Sequence, residues 1–351
     1  MARKLAKRKK ISLALQGGGA HGAFTWGVLD RLLEDGRLDI RAITATSAGA
    51  MNAVALAAGM QENGPEGARA LLKHLWSEVA RSSAPVSSLA PPTWPAAFAA
   101  YNPLAAFTPF SLANALTSFA SPYDLNPFDF NPLRTVLDRV ICFDAVRASD
   151  IDLFIAATNV ETGRVKIFRD EEITLDAALA SACLPQTFKA VEIEGVPYWD
   201  GGYMGNPALF PLIYSGAPND VLLVLLNPLT RPGTPRTAAA IQDRLNEISF
   251  NSALFGELRA IAFVQRLLDE NWLADRVRGK YRRLYIHAIR GGEALCHLSL
   301  ETKYDTRWSF MMQLHTMGRD YAGQFLDQCY DQVSKCSSVS IKDDFLTPLS
   351  A

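Results

Sequence analysis

The first sixty residues alternate between short apolar runs and longer stretches of helical spacing. Ile11 to Leu15 is apolar enough and short enough for a strand, and a glycine run at 17–19 follows it. Phe24, Val28 and Leu32 then recur four apart, which predicts an amphipathic helix, and Gly36 stands where such a helix stops. Residues 40–46 read as a second strand, and 48–58 as a helix of small side chains ended by Gly59. Strand, loop, helix, strand, turn, helix is the order of a parallel sheet with helices packed on it. The alternation resumes after residue 150. Residues 151–157 and 164–168 read as strands, 174–183 as a helix, and 191–193 with 196–199 as a hairpin across Glu194-Gly195. Residues 221–226 are apolar throughout, as a strand buried on both faces requires. Leu254, Leu258, Ile261, Phe263, Leu267 and Leu268 outline a long helix, 284–289 a late strand, and 307–333 a final helix.

Residues 82–133 differ in character. Between Arg81 and Arg134 the only charged residues are Asp124 and Asp129, and nine of the 19 prolines fall there with seven Trp and Phe side chains. Prolines interrupt long elements, while the aromatics demand burial or an apolar partner. This stretch reads as a cap inserted into the domain. Contact with acyl chains or a membrane is one role for it, and an irregular layer packed on the core is the other.

The 351 residues, 49% hydrophobic and 20% charged, suit a large globular core, here one α/β domain over 11–333 followed by a tail, 334–351. A net charge of −1 offers nothing to nucleic acid as a whole. Charge is concentrated at the start, however: Arg3, Lys4, Lys7, Arg8, Lys9 and Lys10 form a basic arm, 1–10, leaving 29 basic against 36 acidic side chains elsewhere. Such an arm can lie on an anionic membrane as a peripheral contact, or be a solvated tail. The apolar run behind it is too short for a secretory signal. Five scattered cysteines, none in a C-x-x-C pair, indicate neither a disulfide framework nor a zinc site, so a reducing cytoplasm is the simplest expectation.

Three short segments carry chemistry. Gly17-Gly18-Gly19-Ala20-His21-Gly22 lies between a strand and a helix and satisfies G-x-G-x-x-G. A dinucleotide site would need an acidic residue near the end of the next strand, which instead ends Ala45-Thr46-Ser47. The other use of such a loop is as an oxyanion hole, with amides at a helix start aimed at negative charge. Ala45-Thr46-Ser47-Ala48-Gly49 resembles the G-x-S-x-G nucleophile elbow, a serine on a sharp strand-to-helix turn between small residues. A serine there can equally be a helix cap. Asp200-Gly201-Gly202 closes a predicted strand and is either a turn or a base, since burial raises a carboxyl pKa and lets it accept a serine proton.

In this order, the glycine loop, the serine elbow and the Asp-Gly-Gly resemble the patatin-like phospholipase family. So do Ser181-Ala182-Cys183-Leu184-Pro185 and the run from Trp199 to Pro207. The resemblance covers 11–60 and 150–230. It implies a three-layer α/β/α sandwich with a mainly parallel sheet, and a Ser–Asp dyad that works without histidine, metal or cofactor on a lipid or phospholipid ester. Ser47 is then the nucleophile and Asp200 its base, in the loop with Gly201 and Gly202. Gly17, Gly18, Gly19, Ala20 and Gly22 form the oxyanion loop, with the Gly18, Gly19 and Ala20 amides as donors. Two departures stand out. Ala45 replaces the first elbow glycine, and His21 stands where many members carry Arg or Lys, so a fixed charge becomes titratable and His21 a candidate for tuning the oxyanion or contacting substrate.

Three rivals remain. A Ser-Asp-His triad is compatible with chain order through His287, His297 or His315, although none stands in a recognisable turn motif. A dinucleotide-binding protein, or a lipid-binding protein without turnover, would use the glycine loop for binding alone.

Overall fold

The computed structural model describes residues 8–89, 121–126, 128–298 and 300–347. Eight strands form one sheet in the order β5-β6-β3-β2-β1-β7-β8, with β4 added to β3. The strands are β1 (Lys9–Leu15), β2 (Leu38–Thr46), β3 (Asp152–Asn159), β4 (Val165–Phe168), β5 (Val191–Ile193), β6 (Val196–Asp200), β7 (Asp220–Leu225) and β8 (Tyr285–Arg290). The inner pairings are parallel, whereas β4, β5 and β6 pair antiparallel. The expected mainly parallel α/β sheet is therefore present. The hairpin turns at Glu194 and Gly195, both at positive φ (53° and 79°), as a two-residue turn between twisted strands prefers.

Both faces of the sheet are buried, which is why its inner strands read as continuous apolar runs. Leu13, Leu15, Ile43, Ile155, Leu222 and Val224 face one core, beneath α1 (Gly22–Asp35), α2 (Ala48–Leu89), α3 (Pro132–Val140), α4 (Leu175–Ser181) and α6 (Trp308–Gln328). Ala14, Ala42, Phe154, Val221, Leu223 and Leu225 alternate to the other face, beneath α5 (Ala238–Asp269). Helices on two faces of one sheet make three layers.

Several boundaries differ from expectation. Gly59 does not end its helix. The break falls at Asn63 and Gly64 (φ 61°), and Gly59 instead lets the returning helical segment approach, since a Cβ there would lie 2.5 Å from Ala68 Cα. The basic arm is shorter than 1–10: Lys9 opens β1 and its Nζ donates to the Tyr330 carbonyl at 2.7 Å. The described part of the tail packs on the second core through Ile341 and Phe345, while Ser334 N–H donates to Asp220 and Ser337 Oγ accepts from Ile286 N–H. Most of the apolar insert, 90–120, lies outside the described residues. At its far end Phe128 and Phe130 are exposed, just before Asn131 caps α3.

Helices α1 and α6 meet through a pair of glycines. A Cβ on Gly27 would run into the His315 carbonyl oxygen, and one on Gly318 into that of Phe24. No side chain can give way there, because both obstacles are backbone. Gly318→Ala should therefore lower Tm by about 5 °C or more. Gly323→Ala, in the same helix and with only Arg31 Nε at 4.0 Å from its Cβ, should leave Tm unchanged or raise it. Thermal unfolding of the two variants checks the contrast.

Candidate active site

The site forms where three strands end. Leu15 of β1 is level with Ala45 of β2, so the glycine loop and the serine elbow leave the sheet side by side. The third strand arrives through β3. Its residues Ile155 and Ala156 pair with β2 on one edge and with β4 on the other. β4 continues to occupy that second edge at Ala157 and Thr158. β6, which pairs with Ala157 to Asn159, must therefore take over the edge that β2 leaves at Thr46. Thr46 faces Ala156 and Asp200 faces Ala157, one position on. Ser47 and Asp200, 153 positions apart in sequence, thus meet through consecutive residues of one strand.

Ser47 has a φ of 54°. A non-glycine residue in the left-handed region is strained by about 1 kcal/mol or more and persists only where its surroundings enforce it. They do so here. Its N–H donates to Ser181 Oγ at 2.9 Å, and Thr46 Oγ1 donates to the Gly205 carbonyl at 2.6 Å. A Cβ on Gly17 would lie 2.7 Å from Ser47 Cβ, and one on Gly49 would strike the Leu15 carbonyl. Ala45 is fully buried and its methyl joins the first core, so the departure at this position is absorbed by packing. Ala48 is also buried, against Gly22, whose Cβ would come within 2.7 Å of it.

Asp200 is fully buried. Its N–H donates to the Cys183 carbonyl at 2.7 Å, and its Oδ1 accepts the Gly202 N–H at 2.7 Å. Oδ2 is buried with no hydrogen-bond partner among the described residues. Burial pushes the carboxyl up to about 7. The Gly202 N–H, the neighbouring Ser47 hydroxyl and the more distant charge of Lys303 pull the other way. The Ser47 hydroxyl acts there at a geometry short of a full hydrogen bond to Oδ2. Both following glycines are required by contact: a Cβ on Gly201 would strike the Ala156 carbonyl, and one on Gly202 the ring of Phe250.

The glycine loop is clamped at its base by a buried amide network. Gln16 Oε1 accepts the N–H groups of Leu226 and Asn227 at 2.7 and 2.8 Å, and its Nε2 donates to Asn251 Oδ1 at 2.9 Å and to the Asn206 carbonyl at 3.2 Å. Asn206 Oδ1 accepts the Gly17 N–H at 2.7 Å, and Asn227 Nδ2 donates to the Gly17 carbonyl at 3.3 Å. Gly17 therefore drops out as an oxyanion donor. Gly22 drops out as well, because its N–H closes the turn onto Gly19 and Ala20 carbonyls. The N–H groups of Gly18, Gly19 and Ala20 have no partner among the described residues. The positive φ of Gly19, 58°, turns the loop where a side chain would meet the Lys303 carbonyl.

No histidine beyond the loop stands beside Ser47. His287 Nε2 meets Asp220 Oδ1 at 3.1 Å and its Nδ1 meets Ser338 Oγ at 3.0 Å. It lies on β8, three strands from β2, roughly 14 Å at the usual strand spacing. His315 stacks on Trp26 and pairs with Asp30 at 3.3 Å, His297 is exposed, and His74 lies near Glu78. His21 Nε2 bonds Thr302 Oγ1 at 2.8 Å, and burial reinforced by the charge of Lys303 lowers its pKa to about 3, so it stays neutral. Sequence reasoning gave Ser181 and Asn206, which lie in segments quoted only for their resemblance, no role of their own, and it missed Asn227 and Phe250. None belongs to a motif with a mechanism of its own, and only the tertiary contacts reveal them. Among the described residues, no cluster of three His, Cys, Asp or Glu side chains is arranged to hold a metal ion, and no helix is long and apolar enough to cross a membrane.

A serine on a strained turn, a buried carboxyl and a loop of free amides can together carry nucleophilic acyl transfer. A family profile, patatin-like phospholipase, matches residues 13–213, more than half of the chain. The chain belongs to that family, and by class it is a lipid acyl hydrolase. Its fold is similar to VipD from Legionella pneumophila at 16% identity and a TM-score of 0.42, covering 97% of this chain and 73% of that one. Full-length ExoU with SpcU, from the type III secretion system of Pseudomonas aeruginosa, is similar at 15% identity and a TM-score of 0.30, covering 89% and 53%. A second structure of the ExoU–SpcU heterodimer gives 19% identity and a TM-score of 0.33, covering 94% and 62%. The chain thus spans less than two thirds of the ExoU structures' length. No curated protein matches it.

The raised Asp200 carboxyl has a consequence for stability. A group whose folded pKa exceeds its unfolded value near 3.8 favours the folded state most at low pH. That contribution is lost as pH rises from about 4 to about 7, where folding must bury a charge. Asp200→Asn should therefore raise Tm at pH 8 and have little effect at pH 4. Melting curves at the two pH values decide it; equal shifts at both would sink the assignment of a strained ionised carboxyl.

Proposed function

We propose that the protein hydrolyses carboxylic esters of lipids, as a phospholipase A or lysophospholipase, through a Ser47–Asp200 dyad and an acyl-enzyme. The observation that carries this reading is the juxtaposition of Ser47, at positive φ, with a fully buried Asp200 whose carboxyl is raised to about 7. A base poised near the working pH balances availability against proton affinity.

Ser47 Oγ attacks the ester carbonyl while its proton passes to Asp200. The tetrahedral oxyanion is held by the amides of Gly18, Gly19 and Ala20, each such donor contributing about 3 kcal/mol. Collapse expels the alcohol, which takes the proton from Asp200. Water then attacks the acyl-enzyme, giving its proton to Asp200, and the fatty acid leaves as Ser47 regains the proton. Neutral His21 adds no charge to the oxyanion. The apolar insert, with Phe128 and Phe130 exposed at its end, is the segment suited to acyl chains, and the residues before β1 to peripheral contact with an anionic bilayer.

Two results test this reading. Ser47→Ala and Asp200→Ala should each reduce release of fatty acid from phospholipid vesicles by at least about 10³-fold, with mass spectrometry identifying the products. Retained turnover in either folded variant removes that residue from the mechanism. In the wild type, kcat/KM should rise about tenfold per pH unit below pH 7 and level off above it, because only ionised Asp200 accepts the serine proton. A flat profile between pH 5 and 8 would contradict an Asp base of this pKa.

A further inference from the structure

We propose that Lys303 is a positioning residue for this reaction: its buried ammonium fixes the glycine loop from behind and supplies the standing positive charge that the loop itself lacks. The proposal rests on the Ser47–Asp200 reading above.

Lys303 sits in the short turn Leu300–Tyr304, far from every sequence motif. Its Nζ donates to Asn227 Oδ1 at 2.8 Å and to Asn246 Oδ1 at 3.3 Å. Asn227 is the residue that holds the Gly17 carbonyl. The Lys303 carbonyl abuts Gly19, so the same residue meets the loop directly at its turn and, through Asn227, at its base. The ammonium also stands 5.6 Å from the ring of Phe250, the ring that covers Gly202 beside Asp200. One side chain is therefore linked to both halves of the site.

The charge of this side chain is left to act at a distance. Its two partners are neutral amides, and among the described residues no carboxylate lies at ion-pair distance from it. A buried ammonium without a direct counter-ion costs stability, and groups of this kind cluster at functional sites. The surrounding titratable groups are Glu247, Asp243 and Arg231 from the α5 side, Asp200 from β6, and neutral His21 from the loop. Glu247 is engaged by Arg231 at 2.5 Å and by Arg244 at 3.1 Å, so it is largely neutralised. Burial lowers Lys303 to about 8 while Glu247, Asp200 and Asp243 support its charge, leaving it mostly protonated at pH 7. His21, the titratable residue of the loop itself, is neutral in this range. Lys303 brings a cation from far along the chain, where it favours ionised Asp200 and the negative charge that develops on the substrate oxygen held by the loop amides.

The experiment reads Asp200 directly. Protein carrying ¹³C-carboxyl aspartate is titrated by NMR, with the Asp200 resonance assigned by its loss in Asp200→Asn. Wild type is compared with Lys303→Met, Lys303→Gln and Lys303→Arg, each checked for folding by near-UV circular dichroism. Loss of the charge should raise the Asp200 midpoint by roughly half a pH unit or more in both neutral variants, and Lys303→Arg should restore it. With phospholipid vesicles, the neutral variants should lose about tenfold in kcat with KM within about twofold, and their acid limb should move up with the NMR midpoint. An Asp200 midpoint within about 0.2 units of wild type in a folded neutral variant overturns the proposal. The titration needs no turnover, so a wild type that cleaves no lipid would count against the hydrolase reading and leave this test intact.

Discussion

Along one edge of β3, β2 ends at Ala156 and β6 takes over at Ala157. The remaining geometry of the site follows from this handover. A parallel strand and an antiparallel strand that share an edge must point their ends at each other, so the residue after Thr46 and the last residue of β6 converge. Backbone hydrogen bonding sets the separation, and no side chain has to search for its partner. Gly201 is the steric consequence, since any Cβ there would strike the Ala156 carbonyl. The neighbouring segment ties the arrangement from outside: Ser181 holds the Ser47 N–H and the Cys183 carbonyl accepts that of Asp200.

The site is expensive in stability, and its costs are of different kinds. Ser47 is held in a strained backbone conformation. Asp200 is buried with one oxygen unpartnered, and Lys303 is buried against neutral amides. The two cores on either face of the sheet offset these costs without touching the chemistry. The amide network of Gln16, Asn206, Asn227 and Asn251 fixes the loop by a different means. All of the Gln16 amide's polar groups are satisfied, so it is rigid without placing charge near the oxyanion position.

Ser338, His287 and Asp220 resemble a catalytic triad in their contacts, yet they act as a clasp. His287 is fully buried, Asp220 also accepts the Ser334 N–H, and the three together fasten the C-terminal segment to β7 and β8. Chain order left a histidine partner for Ser47 open as a rival. Strand order separates His287 from Ser47, because β1 and β7 stand between β2 and β8, and His315 is engaged with Asp30.

Much of the fold was legible because its causes are local. Strands buried on both faces read as apolar runs, helices as fourfold spacing, and the hairpin as a Glu-Gly pair between short strands. Ser47, Asp200 and the glycines beside them were legible because close backbone approach excludes other residues, and that exclusion leaves a pattern in the sequence. Gly59 misled for the same reason: a glycine required by contact looks like one that ends a helix. What the sequence determined by itself was therefore the order of the elements and the candidate nucleophile, base and loop. Tertiary structure alone decided which loop amides are free, that His21 is neutral, and that Lys303 lies behind the loop. Those properties depend on partners 189 or more positions away, Asn206, Thr302 and Lys303 among them. Burial and hydrogen bonding across such distances leave no periodicity in the chain to be read.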